Sequence, residues 1–92
     1  MSSSGVKLVI RGIVQGVGYR YFCYRAATSL DLVGWARNMP DGSVTVEAEG
    51  DRGAIEILIK ELKAGPSHAT VTDIDVFWVE CSGKYSSFDI RG

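Results

Sequence analysis

The chain switches between a two-residue and a helical hydrophobic period in a fixed order, and that order leaves few folds open. Val6, Leu8 and Ile10 alternate with Lys7, Val9 and Arg11 inside the run Val6–Val14, the period of a strand. The segment "YRYFCYRAATSLDL" then brings Tyr19, Phe22, Cys23, Ala26 and Leu30 to one side of a helix. A short apolar run, "VGWARN" (Val33–Asn38), reads as a second strand, and Pro40, Asp41 and Gly42 mark a turn. In "SVTVEAEG", Val44, Val46 and Ala48 alternate with Thr45, Glu47 and Glu49, which makes it the partner strand of a hairpin. Asp51 is placed to cap a second helix, Gly65-Pro66 stops it, and Ile55, Leu58, Ile59 and Leu62 form its apolar stripe. A fourth strand over Thr70–Glu80 carries Ile74, Val76 and Trp78 on one face; "SGKYSS" turns the chain, and "FDI" can add a short fifth strand at an edge.

Strand, helix, strand, strand, helix, strand supplies too few helices to cover both faces of a sheet. The arrangement that buries both stripes is an α+β sandwich: a four-stranded antiparallel sheet with both helices on one face, the ferredoxin-like split βαβ (βαββαβ), with the short fifth strand beside it. The right-handed crossover rule leaves few competing topologies. With 92 residues, of which 46% are hydrophobic and 23% charged, the chain holds one globular domain. That domain is expected over residues 6–92, with residues 1–5 ("MSSSG") as a mobile tail. A domain of this size buries a modest core, so its site should be compact and shallow.

The formal net charge of −1 argues against a nucleic-acid or membrane-surface binder, both of which need a basic excess. No apolar run approaches the ~18 residues of a membrane span. "MSSSG" lacks the basic and apolar regions of a signal peptide. Cys23 and Cys81 have no metal-ligand spacing and read as free thiols of a reducing cytoplasm. No His, Cys, Asp or Glu cluster suggests a metal, and no cofactor is expected.

The stretch "RGIVQGVGYRYF" (Arg11–Phe22) places Gly12, Gly16 and Gly18 between the first strand and the first helix. Glycine there lets backbone N–H groups converge without obstruction, and a helix start adds unpaired N–H groups and a positive dipole end. Together these suit an anion, with phosphate the usual guest, and the Arg20 fork can hold two of its oxygens. Gly-Lys-Ser/Thr and an ordered GxGxxG are both missing, so neither familiar nucleotide loop is present. The same glycines equally suit a plain tight turn. Asn38, at the end of the second strand, is either a turn residue bonding its own backbone or an amide that orients a water.

Taken together, "RGIVQGVGYRYF" and "LVGWARNMPDGSVTVEAEG" resemble the acylphosphatase family, and the likeness runs from about Lys7 to Arg91, including "YSSFDIR". The resemblance implies hydrolysis of the carboxyl–phosphate anhydride of small acyl phosphates to carboxylate and phosphate, without a metal. It implies that Gln15, Gly16, Val17, Gly18 and Tyr19 cradle the phosphate with N–H groups, that Arg20 binds it, and that Asn38 positions the attacking water. Inorganic phosphate or sulfate would then be a product-like ligand, and the expected state is a monomer. An alternative is a phosphate- or carbamoyl-phosphate-binding module, since the N-terminal domain of the hydrogenase-maturation carbamoyltransferase also resembles this sequence.

The remaining candidates have plainer roles. His68, the single histidine, falls outside both motifs and reads as a surface-loop residue. Cys23 falls on the apolar stripe of the first helix. Arg11 and Arg37 read as solvent-facing strand residues, Trp35 and Trp78 as packing residues, and Asp41 as part of the turn. An RNA-recognition domain shares this element order but needs aromatics on its third strand, where this chain has "SVTVEAEG".

Overall fold

The computed structural model describes residues 3–92 and has the expected element order, with the short fifth strand formed. The elements are β1 (Ser3–Ile13), α1 (Tyr19–Ser29), β2 (Val33–Asn38), β3 (Val44–Asp51), α2 (Arg52–Ala64), β4 (Thr70–Val79) and β5 (Phe88–Arg91). The strands form one sheet in the order β4-β1-β3-β2-β5. The first four pair antiparallel, and β5 runs parallel to β2 at the far edge, from Gly34↔Phe88 to Arg37↔Arg91. The fold is ferredoxin-like α+β, with a mixed sheet of five strands.

The expected tail over residues 1–5 needs correction. Ser3, Ser4 and Gly5 belong to β1 and pair with Asp51, Gly50 and Glu49. β3 is long enough to offer these residues a ladder, and backbone pairing needs no apolar side chain. Residues 1 and 2 lie outside the described residues.

Register explains the core. Val6, Leu8 and Ile10 stand opposite Ala48, Val46 and Val44, so all six project to one side, where the helices lie. Ile55, Leu58 and Leu62 of α2 and Tyr19, Cys23, Ala26 and Ala27 of α1 close over them. Phe22, Leu30 and Ile59 pack at the margin. α2 is capped as its sequence promised: the Asp51 carboxylate accepts from the Ala54 N–H at 3.0 Å, and the Gly65 N–H donates to the Glu61 carbonyl at 2.9 Å. Trp78 faces the helix side but lies on the edge strand, so it stays 39% exposed, its ring stacked under the Arg52 guanidinium at 4.0 Å.

β4 and β5 occupy opposite edges, so the chain between them crosses the sheet face that no helix covers. Glu49, on that face, fastens the crossing: its carboxylate accepts from the Ser82 N–H (2.8 Å), the Ser82 hydroxyl (2.7 Å) and the Gly83 N–H (3.1 Å). Tyr85 fastens it again, donating to Glu47 at 2.9 Å and accepting from the Trp35 indole N–H at 3.1 Å.

Candidate active site

The β1–β3 ladder ends at Ile10↔Val44, while β1 continues against β4 to Ile13↔Thr70 past an irregularity at Arg11/Gly12. At this end the sheet splits, with the 14–18 loop on one side of the gap and the β2–β3 turn on the other. Gly16 and Gly18 hold φ of +74° and +77°. Apart from adjacent residues, no heavy atom lies within 4 Å of the point where a Cβ would stand on either. Gly18 is also the N-cap of α1 and offers no side chain to the first turn. The first N–H groups of the helix therefore keep their hydrogen-bonding capacity and their partial positive charge.

Across the gap, Asn38 ends β2 opposite Val44, which places its side chain on the helix side of the sheet. Its Oδ1 is buried and has no hydrogen-bond partner. A buried, unpaired acceptor costs free energy unless something else meets it, commonly a water or ligand. Asn38, Gly16, Gly18, Tyr19 and Arg20 line one cleft of about 190 Å³. The Arg20 guanidinium donates to the Arg91 carbonyl at 2.6 Å, so the end of β5 holds it in place.

Of the sequence-named residues, Gly16, Gly18, Tyr19, Arg20 and Asn38 line this cleft, and Gln15 and Val17 do not. The Tyr19 ring is core: it is 1% exposed, and its hydroxyl donates to the Leu62 carbonyl at 2.6 Å. Burial pushes that phenol well above its ordinary value, with the nearby Cys23 adding to the shift. Val17 packs against the core. The Gln15 side chain turns away to the β2–β3 turn, donating to the Met39 carbonyl at 2.8 Å and the Ser43 carbonyl at 2.9 Å. Gly16 and Gly18, having no side chains, can offer the cleft only backbone.

Val14, Tyr21 and Ile90 complete the walls, and the sequence reading named none of them for the site. Ile90 enters because β5 lies parallel beside β2, a placement that four residues of strand pattern do not reveal. The cleft lining holds no carboxylate and no imidazole. His68 is exposed in the connection after α2. Asp41 is a turn residue, accepting from the Ser43 hydroxyl at 2.6 Å and the Ser43 N–H at 2.9 Å, and these bonds hold its carboxyl below the ordinary value. Arg11 pairs with Asp75 and lies 4.0 Å from Asp73. Cys23 is buried and Cys81 exposed, both as free thiols. Among the described residues, no group of three or more His, Cys, Asp or Glu side chains is placed to hold a metal ion.

Fold and cleft define a class: an α+β sandwich able to receive an oxyanion at the start of its first helix, opposite an unpaired amide. The chain belongs to the acylphosphatase family, whose profile, described as Acylphosphatase, matches residues 6–90. It is an enzyme of the hydrolase class. It is 43% identical over 90 residues to an acylphosphatase of Chlorobaculum tepidum, with 98% of each chain covered. The crystal structure of acylphosphatase from Bacillus subtilis superposes with a TM-score of 0.93 at 34% identity, covering 97% of this chain and 99% of that one. Full-length HypF, in its phosphate- and nucleotide-bound form, superposes with a TM-score of 0.91 at 35% identity; the match covers 99% of this chain but 12% of HypF.

Proposed function

We propose that the chain hydrolyses the carboxyl–phosphate anhydride of small acyl phosphates, with the phosphoryl group held by the loop N–H groups and Arg20. The buried and unpaired Oδ1 of Asn38, a residue that lines the same cleft as Arg20, carries this reading. A neutral amide oxygen can accept a hydrogen from a water and hold it in line with phosphorus, a positioning effect. As the water oxygen bonds to phosphorus, the bond from phosphorus to the acyl oxygen breaks and the carboxylate leaves. Charge on the remaining phosphoryl oxygens meets N–H dipoles and a guanidinium already in place. The water must also lose a proton, and with no carboxylate or imidazole in the lining, a phosphoryl oxygen of the substrate takes it. A pH–rate profile with an enzyme base of pKa about 6–7, abolished by changing one side chain, would overturn that assignment.

The charge needed at the phosphate is supplied by Arg20 and the helix start, so the reaction is proposed to need no metal and no cofactor. We propose that the chain acts as a monomer. No described helix is long and apolar enough to cross a membrane, and the net charge is −1. We place the enzyme in the cytoplasm, with no membrane or nucleic-acid partner.

The test is hydrolysis of benzoyl phosphate in the presence of chelator by the wild type and by Asn38→Ala, with inhibition by inorganic phosphate measured on both. The expected result is turnover by the wild type, loss of about 100-fold or more in kcat for the variant, and an unchanged phosphate inhibition constant. The likeness to phosphate-bound HypF favours a second reading, a phosphate- or carbamoyl-phosphate-binding module. A wild-type protein that binds phosphate without hydrolysing the substrate would select it.

A further inference from the structure

We propose that the Gln15 side chain is a positioning residue for Asn38, setting the distance between the phosphate loop and the water-holding amide; this rests on the water-positioning role given to Asn38 above. β1 and β2 are not neighbours in the sheet, because β3 lies between them. The β1–β3 ladder that relates them indirectly stops at Ile10↔Val44, short of the loop. Past that point β1 is paired only with β4, so the backbone ladders leave the 14–18 loop and the β2–β3 turn untied.

Gln15 spans the gap. Its Nε2 donates to the carbonyls of Met39 and Ser43, the two ends of the turn that begins directly after Asn38. That turn is already closed on itself: the Met39 N–H donates to the Ser43 carbonyl at 2.8 Å, and the Gly42 N–H donates to the Met39 carbonyl at 3.0 Å. Gln15 therefore grips a rigid unit. The Asn38 Oδ1 has no partner of its own, so its position follows from the backbone beneath it. Both hydrogens of one amide are used, and the bonds are part-buried, where hydrogen bonds hold geometry more firmly than in water. The neighbouring Gly16 and Gly18 keep their phosphate-facing N–H groups whether or not the Gln15 side chain is present. Loss of the tie should therefore reach the water more than the phosphate.

The test uses Gln15→Met, which keeps the length of the side chain and removes both donors, with benzoyl phosphate as substrate and inorganic phosphate as inhibitor. The expected result is a fall in kcat of about 10- to 100-fold, the cost of misplacing a reacting group by a fraction of an ångström to one ångström. The phosphate inhibition constant should stay within about twofold of wild type. In the Asn38→Ala background, Gln15→Met should change kcat by less than about twofold, because the residue it acts through is gone.

Gln15→Glu gives a second readout: a carboxylate facing two carbonyls cannot donate, so kcat should be lowest at neutral pH and recover as acid protonates the introduced carboxyl. Unchanged kcat in Gln15→Met, or an undiminished effect in the Asn38→Ala background, overturns the Gln15 proposal alone. Full activity in Asn38→Ala overturns the water-positioning reading and takes the Gln15 proposal with it.

Discussion

Arg20 and Arg91 meet side chain to backbone: the Arg20 guanidinium donates to the Arg91 carbonyl at 2.6 Å, joining the first turn of α1 to the last residue of β5. One edge of the fork is thus fixed by the protein, and its other donors remain for a ligand. Lysine keeps the charge but has no planar fork, so it cannot hold this carbonyl and present a paired face to phosphate together. Arg20→Lys should weaken inhibition by inorganic phosphate by about tenfold and lower kcat/KM by about 100-fold or more. Steady-state kinetics with benzoyl phosphate decides, and a kcat/KM within about twofold of wild type would remove Arg20 from the site.

Much of this arrangement was legible beforehand because each part leaves a local mark. The six leading elements follow from apolar period, and the glycine loop from three glycines bracketed by a strand and a helix. What stayed hidden depends on contacts between distant segments. "SVTVEAEG" reads as a strand with one acidic, solvent-facing side, and Glu47 does keep partial exposure. Glu49 is instead 6% exposed, because the 81–83 segment folds over it. Nothing near Glu49 in the chain announces that crossing. The Gln15 side chain is similar: its partners lie 24 and 28 residues away, across a gap that the strand pattern does not show.

Two kinds of glycine should separate cleanly on substitution. Gly16 and Gly18 have left-handed φ and open surroundings, so an added methyl group strains the backbone without striking non-adjacent atoms. Gly16→Ala and Gly18→Ala should cost roughly 1–2 kcal/mol each and weaken phosphate binding, yet fold. Gly34, at φ +142°, faces the Glu47 carbonyl oxygen, which would stand 1.9 Å from its Cβ. Gly34→Ala must part β2 from β3 and should cost on the order of 4 kcal/mol or more. Thermal unfolding followed by circular dichroism ranks the three, and a Gly34 variant as stable as the loop variants would show that the β2–β3 register is wrong.

Glu49 makes stability depend on acid. Burial alone would raise its carboxyl, but donation from the Ser82 N–H and hydroxyl, the Gly83 N–H and the Cys81 thiol outweighs burial and holds it below the ordinary value. A carboxyl lowered on folding stabilises the protein at any pH above its unfolded value of about 4.3, and that contribution fades as pH falls through the lower folded value. Glu49→Gln places an amide where four donors converge, so it should lose about 1–3 kcal/mol at pH 7. The gap between wild type and variant should then close as pH falls below about 4. Urea unfolding at a series of pH values measures both curves. A gap that stays constant down to about pH 3 would mean that shape and packing at residue 49, and not its charge, hold the crossing segment to the sheet.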